Sequence, residues 1–559
     1  MYKRQPVKTT NGDNWKNNPS ILACGACHDG IDFATGKGVT LADKAKDVAA
    51  KAAIGTTQSG HAPGKDATNM VCSYCHTAEV IAVDHRTNFA TPNNPVAKAG
   101  LVNFAYDIKS VTVNTSGQPV ITFQIKKDGV VVTSLAVPTL VTHATSGQQV
   151  VSPDYEPIAG FAGGPSLYVA YAVPQDGITD PVDFNVQKSV SLTNLLVASG
   201  SPKAGSITGP DASGYFTATL TGDTVGQAKG TCAAPVAPAT AGCVITAVVP
   251  APVLIPAAAK MVTGAIIGSF TQKGLADYPY VAAKVTVNPV TSASGGLARP
   301  AILKKLVATN YTARRVIVDS AKCNTCHDQL GTEPNFHGGA RNDATACAFC
   351  HNVTQLSGGW SSNANTFIHG IHGSSKRTVG YTWQVALGYS TLGYPGKLSD
   401  CNQCHAPNTV NLGSTGTAIA PKMLSPTVAT GTTAAAGTST SPYISQVAGT
   451  KYGQGFSFTT PGQAYATYTL VDGTVVPAGT AGAAGFTRAA EGTTLISSPI
   501  SSACYSCHDT TTAKGHMVTN GGAIYEARST ALPKLAAGGE ACLACHGAGK
   551  EYDAAVVHK

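Results

Sequence analysis

The sequence predicts a multidomain protein in which an antiparallel β-sandwich or barrel lies between two cysteine- and histidine-rich segments of short helices and loops. Three observations support this fold class. The chain has 559 residues, which is enough for roughly three or four domains. Fourteen of its 16 cysteines lie outside residues 100–300. The residues between the two cysteine-rich segments alternate in polarity, are rich in Val, Thr and aromatic residues, and are interrupted by glycine-containing turns.

The composition excludes several classes of protein. Charged residues make up only 12% of the chain, and the net charge of +8 is scattered rather than clustered. This argues against a coiled coil, a charged disordered tail and a nucleic-acid partner. The most apolar run, Val244 to Ala259, contains three prolines and is too short to cross a bilayer as a helix. Residues 1–18 are polar and do not resemble a signal peptide.

The cysteines form seven copies of the motif Cys-x-x-Cys-His, where random placement would give roughly 0.01 copies. The motif is typical of covalent c-type haem, in which both thiols form thioethers with the porphyrin and the histidine binds iron. Zinc sites built from Cys-x-x-Cys pairs are the alternative, but zinc does not require a histidine directly after the second cysteine. We therefore expect seven covalently bound c-type haems. The motifs are Cys24/Cys27/His28, Cys72/Cys75/His76, Cys323/Cys326/His327, Cys347/Cys350/His351, Cys401/Cys404/His405, Cys504/Cys507/His508 and Cys542/Cys545/His546.

Eight histidines lie outside the motifs, and seven haems need seven second axial ligands. Methionine is scarce, with five in the chain, so the counts favour two histidines on each iron. His143 stands alone in a strand-like region and is the one histidine not needed. The sequence does not indicate which histidine serves which haem. The proposed distal ligands are His61, His85, His337, His369, His372, His516 and His558.

Covalent haem is attached outside the cytoplasm, so the protein is expected to be exported. A signal peptide would then have been removed, or the N-terminus is truncated. The remaining cysteines, Cys232 and Cys243, are expected to form a disulfide, since this is the default in an exported protein. A redox-responsive role for the pair is the alternative.

Three domains are expected along the chain. Residues 1–95 form a dihaem segment, residues 96–318 the β-sandwich or barrel, and residues 319–559 a pentahaem domain with a Thr/Ala/Gly-rich insertion at 408–500. A helix is expected over Ala42–Ile54, and a hairpin within Gly453–Leu470. The expected half-buried strands of the central domain are Ile108–Val113, Val120–Ile125, Leu167–Val173 and Tyr215–Leu220.

Several stretches resemble the outer-membrane decahaem c-type cytochromes of the OmcA/MtrC type. They are Cys323–Asn352, the FIHGIHG sequence at Phe367–Gly373 and the β-domain stretch Gly164–Asn185. The resemblance implies β domains that alternate with pentahaem domains, the last of which ends at the distal ligand His558. Cys232 and Cys243 resemble the disulfide of the family's β domain. Seven motifs instead of ten suggest an N-terminally truncated member, in which residues 19–90 are the end of an upstream pentahaem domain. A protein with seven haems in total is the alternative.

The resemblance also implies a function. Such a cytochrome would conduct electrons at the cell surface by hopping along bis-histidine haems. It would receive them from an outer-membrane electron conduit or periplasmic cytochromes and pass them to extracellular acceptors such as metal oxides, chelated iron and flavins. No catalytic residue is assigned, and terminal metal-reductase activity is left open. One alternative is a catalytic reductase of nitrite or a sulfur oxyanion, which would need an iron with an open position. The other is a subunit of a polymeric cytochrome wire.

Overall fold

The structure is a computed structural model. It describes residues 13–25, 28, 31–38, 69, 72–85, 98–142, 149–197, 204–223, 251–281, 295–332, 335–357, 360–378, 381, 394–409, 419–428, 464–465, 468–469, 475–476, 479–480 and 495–558. The chain divides into two compact units. One contains residues 1–101 and 324–334, and the other contains residues 102–323 and 335–559.

The first unit consists of short helices around the two N-terminal motifs. Helix α4 begins after Thr77, whose hydroxyl accepts a hydrogen bond from the backbone N–H of Val80 and so caps the helix. Its last residue precedes His85. The predicted helix at 42–54 lies outside the described residues. The elements are α1 (Asn14–Asn17), α2 (Ile21–Gly25), β1 (Ile31–Asp32), β2 (Lys37–Gly38), α3 (Cys72–Cys75) and α4 (Ala78–Asp84).

The second unit begins with the predicted β domain. Its elements are β3 (Phe104–Val113), β4 (Pro119–Lys127), β5 (Val130–Val131), β6 (Leu140–Thr142), β7 (Gln149–Val151), β8 (Phe161–Gly163), β9 (Ser166–Ala172), β10 (Val186–Ser191), α5 (Leu192–Leu196), β11 (Gly205–Thr208), β12 (Phe216–Leu220), β13 (Gly222–Asp223), β14 (Ala251–Pro252), β15 (Lys260–Ile267), β16 (Ser269–Gln272), β17 (Leu297–Pro300) and β18 (Lys304–Val307).

Two antiparallel sheets form a sandwich. One has the strand order β10-β9-β15-β18, and the other has the order β11-β12-β4-β3 with β5 beside β4. Both contribute buried side chains to one core, for example Phe123 and Ile125 from β4 against Val169 and Tyr171 from β9. Neither sheet closes on itself among the described strands. Of the two predicted alternatives, the sandwich is therefore confirmed and the barrel is wrong.

Burial along the strands agrees with the sequence in part. Phe104 and Tyr106 of β3 are buried while Ala105 and Asp107 are exposed, as expected for a half-buried strand. The prediction of a half-buried strand at Leu167–Val173 was wrong, since Leu167 through Ala172 of β9 are buried without alternation. The reason is that both faces of β9 are covered, one by the core and the other by the haem-motif segment described below.

The chain after residue 319 consists of short helices, two-residue strands and loops, as predicted. Its elements are α6 (Ser320–His327), α7 (Cys347–Cys350), β19 (Leu356–Ser357), β20 (Trp360–Ser361), α8 (Ala364–His372), β21 (Thr427–Val428), β22 (Ala464–Tyr465), β23 (Tyr468–Thr469), β24 (Val475–Val476), β25 (Gly479–Thr480), β26 (Leu495–Ile496), α9 (Pro499–Tyr505), α10 (Thr511–Thr519), β27 (Glu526–Ala527), α11 (Arg528–Ala537), α12 (Leu543–His546) and α13 (Ala554–Val557).

The Thr/Ala/Gly-rich insertion begins and ends at one place in the fold. Strand β21 pairs with β26, so that Thr427 lies opposite Ile496 and Val428 lies opposite Leu495. Inside the insertion, β22 pairs with β25 and β23 with β24, which makes a hairpin whose first strand lies in the predicted region 453–470 and whose second strand lies beyond it.

The loop at 173–185, after β9, connects the sandwich to the haem-motif segments through two aspartates. The buried Asp176 pairs with the buried Arg528, while Asp180 and Lys422 form a half-exposed pair at 2.6 Å. A third aspartate, Asp183, pairs with Arg314 at 2.7 Å and with Arg315 at 2.9 Å, in the segment that precedes residue 319. In the described part of the chain, no helix combines the length and apolarity needed to span a membrane.

Candidate functional site

The 323–327 motif lies within the helix α6 (Ser320–His327), and in the other six Cys-x-x-Cys-His motifs the histidine N–H donates a backbone hydrogen bond to the carbonyl of the first cysteine. This bond closes one helical turn. Residues three and four apart lie on one side of such a turn, so the spacing groups the two thiols with the imidazole. The N···O distances are 2.8 Å at His28, 2.9 Å at His76, 2.8 Å at His351, 3.0 Å at His405, 2.8 Å at His508 and 2.8 Å at His546. Cys27 lies outside the described residues.

No motif cysteine that the structure describes is in a disulfide, so each of these sulfurs can form a thioether. Cys326 is half-buried on α6, where the Thr325 hydroxyl lies 3.9 Å from its sulfur. Cys545 is exposed on α12, and its backbone carbonyl accepts a hydrogen bond from the N–H of Tyr552 at 3.1 Å. The assignment of Cys326 and Cys545 as thioether cysteines stays a prediction. The same is true of the other described motif cysteines, namely Cys24, Cys72, Cys75, Cys323, Cys347, Cys350, Cys401, Cys404, Cys504, Cys507 and Cys542.

Five motif histidines each face one of the proposed distal histidines at nearly the same distance. The ring centroids are 6.1 Å apart for His28 and His85, 6.2 Å for His351 and His337, 6.1 Å for His405 and His369, 5.9 Å for His508 and His558, and 6.1 Å for His546 and His516.

This distance fits two imidazoles that share a metal. A metal–imidazole bond is about 2 Å long and the ring centre lies about 1 Å behind the nitrogen, so two such rings have centroids about 6 Å apart. Among the described residues, no three Cys, His, Asp or Glu side chains gather in a cluster that could hold a metal ion. The donor set is therefore paired histidines beside paired thiols, which suits haem better than zinc.

Ordinary ring stacking does not explain the five pairs. Aromatic contacts favour particular relative orientations of the rings. Here the angle between ring planes varies from 14° at His369–His405 to 90° at His516–His546, while the centroid distance varies by only 0.3 Å. Each pair also joins one motif histidine to one histidine outside the motifs. Only the centroid distance is nearly constant, and a metal bound by both rings would fix that distance.

Backbone carbonyl groups orient many of these rings. When Nδ1 donates a hydrogen bond to a carbonyl oxygen, Nε2 is left to bind metal, and the tautomer and the ring orientation are both fixed. The carbonyl partners lie 2.7 Å from Nδ1 of His85 (Ile81), 2.9 Å from that of His351 (Ser362), 2.8 Å from that of His372 (Ile368), 3.0 Å from that of His546 (Tyr552) and 2.9 Å from that of His558 (Ala554).

Burial favours the neutral form of several of these imidazoles. It lowers the pKa of His405 to about 4, with smaller effects from His369 and Lys322. It likewise lowers the pKa of His351, although a hydrogen bond with the Ser362 carbonyl acts in the opposite direction. Because a histidine must be neutral to bind a metal, these surroundings favour ligation over protonation near neutral pH.

The remaining predicted site residues stay predictions. The ring of His372 packs edge-on against Tyr394 at 5.5 Å, three residues after His369 on α8. His76 follows α3, and His327 is the last residue of α6. The other residues singled out from the sequence, His61, His143, Cys232 and Cys243, lie outside the described residues.

The C-terminal motifs contact one another. A hydrogen bond between the thiols of Cys323 and Cys404 raises the pKa of Cys323 and lowers that of Cys404. Nearby, the N–H of Asp319 donates to the carbonyl of Cys404 at 3.0 Å. The Cys507 thiol lies 3.9 Å from the carbonyl oxygen of His369. The site of His369 and His405 therefore lies next to Cys323 and Cys507.

A buried arginine organises the 504–508 motif. The side chain of Arg377 donates to the carbonyl oxygens of Tyr505, at 3.1 Å, and Ser506, at 2.5 Å, and lies 3.4 Å from the Asp509 carboxylate. Its guanidinium also packs over the Trp360 ring at 5.5 Å. The sequence contains no motif that marks Arg377, so sequence reasoning did not find it.

A carboxylate connects the last two motifs. Glu540, two residues before Cys542, accepts hydrogen bonds from the N–H groups of Ile500, at 2.8 Å, and Ser501, at 2.6 Å. It also accepts from the hydroxyls of Ser498 and Ser501. These groups lie at the N-terminus of α9, the helix that carries Cys504. The N–H groups at the start of this helix therefore donate to Glu540, which lies beside the 542–546 motif. The sequence also contains no motif that marks Glu540, so sequence reasoning did not find this residue.

The outer face of the four-stranded sheet covers the 347–351 motif. Tyr168, Ala170 and Ala265 pack in one apolar cluster with Ala348 and Phe349, the two residues between the motif cysteines. Phe349 meets Phe184 edge-to-face at a centroid distance of 5.3 Å. The sandwich therefore excludes water from one side of this site.

Comparisons with known proteins show what parts of this chain are similar to. Residues 315–453 and 472–559 match the family described as outer membrane cytochrome MtrC/MtrF-like, domains II/IV. The multiheme cytochrome MtrC of Shewanella baltica (strain OS185) is 33% identical over 97 residues, which are 17% of this chain and 12% of that protein. The crystal structure of MtrC from Shewanella baltica OS185 aligns with a TM-score of 0.41 and 15% identity, over 97% of this chain and 63% of that chain. This chain thus spans less than two thirds of either relative. Residues 315–453 and 472–559 are thus similar to the family of MtrC/MtrF-like outer membrane cytochromes.

Proposed function

We propose that this chain is a multihaem electron-transfer protein that conducts electrons at the cell surface to extracellular acceptors. The observation that carries the proposal is the set of five histidine pairs with ring centroids 5.9–6.2 Å apart, each beside a Cys-x-x-Cys-His turn. Cytochromes of this family bind c-type haem, and we assign seven haems to this chain, one for each motif.

The residues have distinct roles in this proposal. The two cysteines of each motif would hold the porphyrin, and the motif histidine and one distal histidine would both bind its iron. We propose His61 and His372 as the distal ligands of the two haems that remain. The chemistry that haem supplies when bound is a reversible one-electron change at iron. The carbonyl groups hold the rings in place, so electron exchange would need little movement of the ligands.

Full axial ligation argues against a catalytic reductase of nitrite or a sulfur oxyanion, because such an enzyme needs an iron position that substrate can reach. In all five described pairs, imidazoles would occupy both positions. A neighbouring protein that approaches an exposed site is a sufficient electron donor, and we propose an outer-membrane electron conduit or a periplasmic cytochrome for this role. Metal oxides, chelated iron and flavins are the proposed acceptors. Export and a cell-surface location are part of the same proposal, supported by the family match and by covalent haem attachment.

The experiment begins with the haem-loaded chain. Haem per polypeptide is measured after alkaline pyridine treatment, spin state by EPR, and reoxidation by chelated ferric iron, a soluble flavin and oxide particles. We expect seven low-spin haems, reoxidation by all three acceptors and little cyanide binding. Rapid turnover of nitrite that cyanide blocks would refute the electron-conduit proposal.

Two variants sharpen the test. In His558→Ala the 504–508 site keeps only His508, so one high-spin haem that binds cyanide should appear. The matched control is His143→Ala, which removes the histidine not assigned to any haem and should leave spin state and cyanide binding unchanged. A high-spin signal in the control would show that His143 is a ligand and that the assignment must be revised.

A further inference from the structure

The site of His369 and His405 differs from the other four described pairs in how its imidazoles are hydrogen-bonded. Each of the other pairs contains at least one ring whose Nδ1 lies within 3.0 Å of a backbone carbonyl oxygen. At His369 and His405, both Nδ1 atoms are inaccessible to solvent and have no hydrogen-bond partner among the described residues. The backbone of Asn365 raises the pKa of His369 against the larger effect of burial, but its position does not meet hydrogen-bond geometry.

A fixed positive charge lies beside the same site. The ammonium group of Lys322 donates to the carbonyl oxygen of His405 at 2.7 Å and to that of Asn402 at 3.0 Å. These two bonds hold the charge at the turn that carries the motif histidine. Two acidic side chains lie in the same two segments. Asp400 accepts from the N–H of Asn402 at 3.2 Å, and its charge acts on the thiols of Cys401 and Cys404, while Asp319, three residues before Lys322, accepts from the N–H of Ala321 at 2.8 Å.

Both features act on a bound iron in the same direction. An imidazole that donates a hydrogen bond from Nδ1 is a stronger electron donor and favours ferric iron, so its absence raises the reduction potential. A nearby cation also disfavours the more positive ferric state. Resting on the proposed function, we propose that His369 and His405 hold the haem of highest reduction potential in the C-terminal domain, and that Lys322 is a positioning residue that raises this potential.

The location of the site gives this potential a consequence. It lies next to Cys323 and Cys507, through the Cys323–Cys404 and Cys507–His369 contacts. With haem bound, this site would exchange one electron with a neighbouring haem, which would be oxidised as this haem is reduced, and no bond would form or break. An electron entering from either neighbour would remain here longest, so the site acts as an electron store in the middle of the array.

The ring planes supply a spectroscopic label. At 14°, the His369–His405 planes are nearly parallel, whereas the other described pairs cross at 51° to 90°. Ferric haem with parallel imidazoles gives a rhombic low-spin EPR signal, and crossed imidazoles give a more anisotropic one. A reductive titration of the full haem-loaded chain, followed by EPR, therefore reports this site separately. His369→Met, which replaces a ligand of this site, should remove the rhombic signal and so assign it.

We expect the rhombic signal to disappear first on reduction. In Lys322→Gln, the ratio of oxidised to reduced haem at the wild-type midpoint should increase about threefold to tenfold for this signal, equivalent to about 30–60 mV for one electron. Lys322→Arg should restore the wild-type value, and Lys304→Gln, at an exposed lysine of β18, should change nothing.

Each outcome decides between the hypotheses. If the rhombic signal disappears last or together with the others, or if Lys322→Gln leaves it unchanged, the inference is wrong even though the electron-transfer proposal stands. If the wild-type chain binds no low-spin c-type haem, the proposed function itself fails. Should Lys322→Gln fail to load haem, the order of reduction in the wild-type chain still tests the inference.

Discussion

The pair Asp176–Arg528 connects the sandwich to the C-terminal segments, and its removal should strongly destabilise the second unit. The side chains of both residues are 1% exposed, and Arg528 also donates to the Thr427 hydroxyl at 2.9 Å. Asp176→Asn removes the charge and keeps the shape. Asparagine also tolerates the left-handed backbone of this position, where φ is 58°. The substitution therefore isolates the electrostatic effect.

The magnitude follows from the charge that remains. Removal of one partner of a buried ion pair leaves the other charge buried and uncompensated, which typically costs about 3–5 kcal/mol. Asp180→Asn is the matched control, because Asp180 lies in the same loop and pairs with Lys422, but those side chains are 53% and 45% exposed. A surface pair of this kind contributes less than about 1 kcal/mol.

Urea denaturation of the haem-loaded protein, followed by far-ultraviolet circular dichroism, measures both variants. The free energy of unfolding should fall at least about 2 kcal/mol further in Asp176→Asn than in Asp180→Asn, with similar slopes against urea. Equal losses in the two variants, or a loss below about 1 kcal/mol in Asp176→Asn, would refute the inference that this pair carries the connection.

Three further predictions concern acid, a glycine and the insertion. Burial raises the pKa of Asp183, but its two arginine partners lower it further, so its stabilising effect is present above the unfolded pKa near 4 and is lost as pH falls through the lower folded value. Urea midpoints measured from pH 6 to pH 2 should decline less steeply in Asp183→Asn. A Cβ at Gly373 would lie 2.7 Å from the Cys507 sulfur, so Gly373→Ala should lower haem content by about one equivalent per chain, whereas Gly515→Ala, where a Cβ has open space, should not. Deletion of residues 429–494 should leave the haem spectrum intact, since the flanking strands already pair; loss of haem would show that the insertion is structural.

The sequence was sufficient wherever the decisive interactions are local. The spacing of Cys-x-x-Cys-His predicts a single turn, and the hydrogen bond from His351 to the Cys347 carbonyl shows such a turn. The alternation in β3 likewise predicts its buried and exposed faces. Strand β9 differed from expectation because its second face is covered by residues more than 170 positions away, such as Phe349.

Ligand pairing shows the same limit. His85 follows the 72–76 motif closely in sequence, yet its ring faces His28. In the same way, His558 follows the 542–546 motif and faces His508, while His516 faces His546. His85 and His558 thus face a motif earlier than the nearest one and His516 faces a later one, so proximity in sequence points to the wrong partner. Tertiary packing decides the pairing, and composition carries no information about it.

The apolar outer face of the sandwich also affects how this architecture can evolve. Tyr168, Ala170 and Ala265 would face water if the 347–351 segment were removed, and an exposed apolar sheet face of this kind promotes self-association. Recombination that transferred the haem-bearing segment alone would leave behind a sandwich with an exposed apolar face, and Phe349 of the transferred segment would be uncovered. We expect gene rearrangements within such proteins to move the two parts together, with breakpoints outside both of them.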